Sequence, residues 1–351
     1  MTRALTVVLV AIGVWLWLSS QTTSVLAQQP NEGKIKRPTD KQLAQWYLNH
    51  PWIDKNEDGK VSPEEYDQFM QFESVLARKA YELYKPRGSY KAMPYRVMEP
   101  YNYDPEKSYP LILSLHGAGG RGDDNSMQIR AWNMWILKED WREKYPCFVI
   151  VPQSTSSWSI TGDAPFERPR PTGNRADAPS ARGRERGQQE MERTEGSLSL
   201  AFEIMDKFIE EHNVDKNRIY VIGHSMGGMG TLRAIWERPD FFAGAAFCAG
   251  RLRQSHGREK IADVPIWGFV GTRDTMFHSG MEELFSELKK LDGNMKLTVC
   301  KDVSHDVVYI YSDYNGDNEA KDWITSYATD RCDREPNVWK WLFKQRLSDR
   351  K

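Results

Sequence analysis

The chain has 351 residues, and its 48 Lys and Arg against 49 Asp and Glu leave a net charge of −1 at pH 7. A balance this close to neutral argues against a nucleic-acid or anionic-membrane partner. The length suffices for one large domain with a small module beside it.

The N-terminus carries Arg3, an uncharged and mostly apolar run from Ala4 to Leu18, and the small-x-small pattern Val25-Leu26-Ala27 before Gln28. This predicts a secretory signal peptide over 1–27, and so a secreted or periplasmic protein. A membrane anchor is the competing reading, but a span needs roughly 20 apolar residues. No later stretch is long and apolar enough to span a bilayer, so no membrane partner is expected after cleavage. Residues 28–39, with Pro30, Gly33 and Pro38, read as a linker.

Residues 40–85 read as a small helical module around Asp54-Lys55-Asn56-Glu57-Asp58-Gly59-Lys60-Val61-Ser62-Pro63-Glu64-Glu65. This stretch is in register with an EF-hand loop. Asp54, Asn56 and Asp58 offer oxygens at positions 1, 3 and 5, and Gly59 permits the bend. The Lys60 carbonyl serves position 7, Ser62 position 9, and Glu65 is the bidentate ligand at position 12. A structural Ca2+ ion is therefore expected, and no cofactor for catalysis. The competing reading is an Asp-Gly turn before a helix, since Ser62-Pro63-Glu64-Glu65 is also a capping box with Pro at the first helical position. Pro51 shortens the entering helix. A lone loop suits a structural site of modest affinity better than a sensor. Asp313-Tyr314-Asn315-Gly316-Asp317 begins like a second loop, but Asn318 stands where Gly is required, so it reads as a solvated acidic loop.

From residue 88 to 351 the pattern changes. Short apolar runs recur at Pro110–Leu115, Phe148–Val151, Ile219–Ile222, within Phe241–Cys248, at Pro265–Val270 and at Lys296–Cys300. Helical stretches lie between and after them, among them Ser197–His212 and Asn337–Leu347. Near-continuous apolar strands alternating with helices predict an α/β fold with a mostly parallel, doubly wound sheet covered on both faces. Residues 160–196, rich in Arg, Pro, Gly and Glu, read as a long polar surface excursion, with a flap near the site as the alternative. Cys147 and Cys248 lie in apolar stretches and read as buried thiols. Cys300 and Cys332 flank a polar segment, where a disulfide is an open alternative in an oxidising compartment.

The chemistry concentrates at Gly223-His224-Ser225-Met226-Gly227, between the Ile219–Ile222 strand and a helix over Gly228–Glu237. This is the strand–G-x-S-x-G–helix pattern of a nucleophile elbow. So tight a turn requires small residues two before and two after the serine, which Gly223 and Gly227 satisfy. It holds Ser225 at a helix N-terminus, whose free N–H groups stabilise an oxyanion. His116-Gly117-Ala118-Gly119-Gly120 follows the first core strand directly. Its backbone supplies a second oxyanion donor, from Gly117 or Ala118, to partner the Met226 N–H. Asp274 and His305 each follow a late strand. In acyl transfer the histidine takes the serine proton, and the carboxylate fixes the imidazole tautomer and stabilises its charged form. Competitors are weaker: Asp302 and Asp306 share the His305 loop, and Asp263 precedes its strand. His50 and His212 sit in polar helical regions, and His256 and His278 in loops.

Leu115-His116-Gly117-Ala118-Gly119-Gly120-Arg121-Gly122-Asp123-Asp124-Asn125, Val151-Pro152-Gln153 with Trp158, and Arg218 through Gly228 together resemble the predicted-peptidase and polyhydroxybutyrate-depolymerase-like esterases of the α/β-hydrolase superfamily. The resemblance implies a Ser225–Asp274–His305 triad and hydrolysis of carboxylic esters in a small-molecule or polymeric substrate, such as acylated plant polysaccharide or polyester. A peptidase or lipase of the same fold is one alternative. A non-catalytic, calcium-dependent binding protein on a hydrolase scaffold is another. The 160–196 excursion and the long stretch after His305 depart from the family pattern and bear on the substrate pocket.

Overall fold

The apolar runs pair into the centre of a single nine-stranded sheet in the computed structural model of the chain, which describes residues 38–49, 53–54, 56, 58–129, 132–163, 195–308, 311 and 314–350. The signal peptide expected over 1–27, the expected linker up to residue 37, His50, Asp313 and residues 164–194 lie outside the described residues. Among the described residues, no helix is long and apolar enough to cross a membrane.

The strands are β1 (Tyr84–Tyr90), β2 (Met93–Met98), β3 (Tyr109–Leu115), β4 (Phe148–Pro152), β5 (Val214–His224), β6 (Gly244–Cys248), β7 (Ile266–Gly271), β8 (Met295–Cys300) and β9 (Trp323–Tyr327). Their order across the sheet is β1-β2-β4-β3-β5-β6-β7-β8-β9. β3 to β8 run parallel, and β1, β2 and β9 are antiparallel additions at the two edges. Every residue of β3, β4, β6 and β7 is buried. Such strands need helices on both faces, and the sequence supplies them between the strands. The helices are α1 (Asp40–Asn49), α2 (Pro63–Leu83), α3 (Trp132–Trp135), α4 (Glu139–Lys144), α5 (Ser197–Glu211), α6 (Met226–Glu237), α7 (His278–Lys290) and α8 (Val338–Lys344). α8 buries Val338, Trp339, Trp341 and Leu342.

Strand order reverses next to β3: β4 lies on one side of it and β5 on the other. In open α/β sheets the crevice beyond the C-terminal strand ends at such a reversal is where ligands bind. Leu115 at the end of β3 stands opposite Gly223 near the end of β5. The chain segments that follow these two strands are therefore neighbours from the outset.

Two sequence expectations change, and one hairpin gave no sequence signal. The stretch after His305, read as a long polar segment, contains β9, which pairs with β8 from Lys296↔Tyr327 to Cys300↔Trp323. Alternating burial along β9 marks it as an edge strand with one wet face. The hairpin β1–β2 was hidden because β1 holds Pro86 and Gly88, residues tolerated mainly on edges. The disulfide between Cys300 and Cys332 is replaced by free thiols, and all four cysteines are buried and unpaired. Cys300 ends β8, whereas Cys332 Sγ reaches the Met295 carbonyl at the other end of that strand, at 3.3 Å. Five residues of strand, roughly 17 Å, separate two sulfurs that would need to touch.

Around the acidic loop, Leu43, Ile53 and Val61 form a small separate cluster with Tyr47, Tyr66 and Phe69 against it. α2 starts from the capping box: Ser62 Oγ accepts from the Glu65 N–H at 3.2 Å, and Glu65 Oε2 accepts from the Ser62 N–H at 2.9 Å. Further along α2, Leu76 and Ala80, followed by Tyr84, join the main core. The module boundary placed at 85–88 thus falls within β1.

Candidate active site

Ser225 occupies a backbone conformation that the turn imposes. Its φ of 59° and ψ of −119° lie in a region that non-glycine residues rarely adopt. The surroundings enforce it. A Cβ on Gly223 would lie 2.1 Å from the Gly227 carbonyl oxygen, and one on Gly227 would lie 1.9 Å from the Leu115 carbonyl oxygen. Both positions sit against backbone, so only a residue without a side chain fits. The Ser225 N–H donates to the Cys248 carbonyl at 2.9 Å, tying the turn to the end of β6.

A hydrogen-bonded chain runs through the serine. Ser225 Oγ lies 2.8 Å from His305 Nε2, and His305 Nδ1 lies 2.7 Å from Asp274 Oδ2. An ionised carboxylate only accepts, so Nδ1 carries the proton and Nε2 is free to accept from the hydroxyl. Burial pushes the Asp274 carboxyl up. The His305 hydrogen bond and the N–H groups of Met276 and Phe277 outweigh that and hold it below the usual carboxylate range. The neighbouring Asp306 is pushed the other way by burial. Asp274 and His305 meet because β7 and β8 are parallel neighbours, with Gly271 opposite Cys300. Their following loops are joined by Arg273 N–H to Val303 O at 2.9 Å and Asp302 N–H to Thr272 Oγ1 at 2.9 Å.

The segment after β3 closes the other side. Gly117 faces the serine: a Cβ built there would stand 3.5 Å from Ser225 Cβ. Ala118 begins a short 3-10 turn, Ala118–Gly120, and is exposed. Met226 is the first residue of α6, where an N–H has no acceptor within the helix. Gly117 and Met226 thus flank the serine from two neighbouring elements.

Several contacts had no sequence signal beyond their residue types. His116 is buried and neutral, with its pKa lowered to about 4 by burial. Its Nδ1–H donates to Gly117 O at 2.8 Å, and its Nε2 accepts the Ser154 N–H at 2.9 Å. Trp158 donates Nε1–H to His116 O at 3.0 Å and packs its ring 4.9 Å from the His116 ring. The Phe277 ring stacks on His305 at 5.4 Å, and His224 Nε2 lies 2.9 Å from the His305 carbonyl oxygen. A search for aromatic and imidazole residues next to each motif would have found the residue types, but not their partners.

Two imidazoles, His116 buried and His224 partly buried, give stability a pH dependence. His224, like His116, has its pKa lowered to about 4, by burial first and then by His305. An unfolded histidine titrates near 6.5. Between these values the unfolded chain binds protons that the folded chain refuses, so stability is complete above about pH 6.5 and is lost as pH falls towards 4. For the buried His116 the loss is on the order of 3 kcal/mol. The melting temperature is expected to drop steadily from pH 7 to pH 4, with a shallower slope in His116→Gln. A flat profile would contradict the assignment of neutral imidazoles.

The acidic loop presents oxygens of the types a hard cation takes. Asp54 accepts from the Asp58 and Gly59 N–H groups at 3.2 and 2.9 Å, Asn56 Oδ1 accepts from Asp58 N–H at 3.0 Å, and Gly59 has φ 82°. Glu65 Oε1 reaches across to the Asn56 N–H at 3.4 Å. The donor set and the bend suit Ca2+. The Glu65 carboxylate, however, is turned onto its own helix cap, and among the described residues no three His, Cys, Asp or Glu side chains close on a common metal position.

Comparison with known proteins finds esterases. A crystal structure of a thermostable esterase is 27% identical, with a TM-score of 0.56 over 76% of this chain and 64% of that one. The bifunctional acetylxylan esterase/xylanase XynS20E of Neocallimastix patriciarum is 27% identical over 191 residues, 54% of this chain and 22% of that protein. A ferulic acid esterase of Anaeromyces mucronatus, solved with ferulic acid, is 16% identical, with a TM-score of 0.43 over 65% of this chain and 85% of its own. The chain thus spans less than two thirds of the length of the first two. The model of the Esterase family matches residues 90–330. With an α/β-hydrolase sheet and a match over most of its length, the chain belongs to the Esterase family.

Proposed function

We propose that the protein hydrolyses carboxylic esters through an acyl-enzyme on Ser225. The observation that carries this reading is the continuous hydrogen-bonded chain from Asp274 through His305 to Ser225 Oγ, at 2.7 and 2.8 Å. His305 takes the hydroxyl proton as Oγ bonds to the ester carbonyl carbon, and Asp274 stabilises the resulting imidazolium. The Met226 N–H and an N–H of Gly117 or Ala118 receive the carbonyl oxygen as it becomes negative. His305 then returns the proton to the departing alkoxide, leaving the acyl group on Ser225. Water, activated by the same imidazole, releases the carboxylic acid and restores the serine.

The substrate class we favour is an acylated polysaccharide or a polyester, met outside the cytoplasm after removal of residues 1–27. Family membership and the acetylxylan-esterase relative support it. A fluorophosphonate probe is expected to label the wild-type protein on Ser225 Oγ. A panel of acetyl, feruloyl, longer acyl and peptide substrates should show turnover confined to the esters. Faster cleavage of peptides than of esters would replace this reading with that of a peptidase.

We further propose that Asp54, Asn56, Asp58, the Lys60 carbonyl, Ser62 and Glu65 hold a structural Ca2+ ion, with Glu65 exchanging its cap for the metal. The ion would supply folding stability to the small cluster of Leu43, Ile53 and Val61, and no catalytic chemistry. EDTA is expected to lower the melting temperature, Ca2+ to restore it, and Glu65→Gln to abolish the response while leaving ester turnover at low temperature unchanged. A melting temperature indifferent to EDTA and Ca2+ would remove the ion from the account.

A further inference from the structure

The base and the nucleophile come from strands that do not touch. Ser225 follows β5 and His305 follows β8, with β6 and β7 between them. Three strand spacings are roughly 14 Å, so the loop after Cys300 must overhang the ends of two strands to bring His305 Nε2 within 2.8 Å of Ser225 Oγ. Asp274 restrains the imidazole at Nδ1 and Phe277 packs on its face, and both lie in the loop after β7, not on the serine's strand. Among the described residues, one hydrogen bond from the serine's own strand reaches the backbone of the base. His224, the last residue of β5, has Nε2 2.9 Å from the His305 carbonyl oxygen. A carbonyl only accepts, so His224 Nε2 carries a proton, and burial, which lowers the ring's pKa to about 4, keeps the other nitrogen bare at neutral pH.

We propose that His224 is a positioning residue for the reaction: its Nε2–H tethers the His305 backbone to the end of β5, and so sets the distance between base and nucleophile. The inference rests on the reading of Ser225 and His305 as nucleophile and base. His224 acts through His305, by its bond to that residue's backbone. Its ring lies 4.7 Å from the His305 ring on one side and meets the Trp132 ring edge-on at 6.5 Å on the other. Trp132 is itself fixed by its Nε1–H bond to Ser114 Oγ at 2.8 Å. The tether therefore starts from a ring held between two others. Being neighbours in sequence, His224 and Ser225 move together, so the bond from 224 to 305 couples the two catalytic loops directly across 81 residues of chain.

The test compares wild type with H224Q, which places an amide N–H near the Nε2 position, and with H224F and H224M, which fill the space without a donor. Each is measured for fluorophosphonate labelling rate, for kcat and KM on p-nitrophenyl acetate, and for the downfield proton resonance of the His305 Nδ1–H bond to Asp274. H224F and H224M are expected to label and turn over about tenfold more slowly, or worse, with KM within about twofold of wild type and a weakened downfield resonance. H224Q should recover most of the loss. Labelling rate and kcat at wild-type values in a folded H224F or H224M overturn the proposal, as does an H224Q no better than H224M. Ser225→Ala is run alongside. If it still labels, the reading of Ser225 fails; if it does not, while H224M matches wild type, only the tether fails.

Discussion

Ser225→Ala is expected to lower kcat on an aryl acetate by about 10⁴- to 10⁶-fold, to abolish fluorophosphonate labelling, and to leave the melting temperature within about 2 °C of wild type. Chemistry accounts for the first two effects. Without Oγ no acyl-enzyme forms, and what remains is water attacking an ester polarised by the oxyanion donors. Geometry accounts for the third. Among the described residues Oγ has one hydrogen bond, to His305 Nε2, while the strained φ of 59° comes from the backbone of the turn. Alanine must adopt the same φ, so the folded state changes little. Activity above about one hundredth of wild type, from protein free of contaminating esterase, would move the nucleophile elsewhere.

Gly227→Ala is expected to damage both stability and activity, by a different route. Its new Cβ would stand 1.9 Å from the Leu115 carbonyl oxygen, 2.7 Å from the Leu115 carbonyl carbon and 2.9 Å from the His116 carbonyl oxygen. No rotamer relieves this, because every partner is main chain. Either α6 must lift from the sheet or the end of β3 must move. Overpacking of this kind costs about 3 kcal/mol or more, which for a chain of this size lowers the melting temperature by roughly 5–10 °C. The end of β3 leads directly into His116 and Gly117, so the proposed oxyanion donor on that segment shifts with it, and a loss of at least about 100-fold in kcat is expected. Gly280→Ala is the matched control. It lies in α7, its nearest neighbour would be Arg251 Cβ at 3.7 Å, and it is expected to be neutral or slightly stabilising. Equal behaviour of the two variants, by calorimetry and ester assay, would show that the turn tolerates a side chain.

Local signals were legible in the chain where the physics is local. The apolar runs of β3, β4, β6 and β7 read as buried parallel strands because each is buried throughout. Gly223 and Gly227 read as an elbow because a tight strand-to-helix turn excludes a Cβ at both positions. The edge strands were not legible. β1 carries Pro86 and Gly88, and β9 follows a polar, acidic stretch, so neither has the apolar run that marks a strand packed on both faces. The free thiols of Cys300 and Cys332 were equally out of reach, since only strand register places them at opposite ends of β8.

By itself the sequence determined the strand–helix alternation, the serine turn, the glycine-rich segment after β3, and the aspartate and histidine that follow late strands. Each of these is a short-range pattern whose meaning does not depend on distant residues. Only the tertiary structure decided that β3 and β5 are neighbours, which sets Gly117 beside Ser225. It also decided that His305 reaches across two strands to the serine, with Phe277 against its ring and His224 at its carbonyl. Strand order is a non-local property, fixed by which apolar faces bury best against one another. The partners it brings together are therefore written in the packing of the whole sheet, not in the spacing of any one motif.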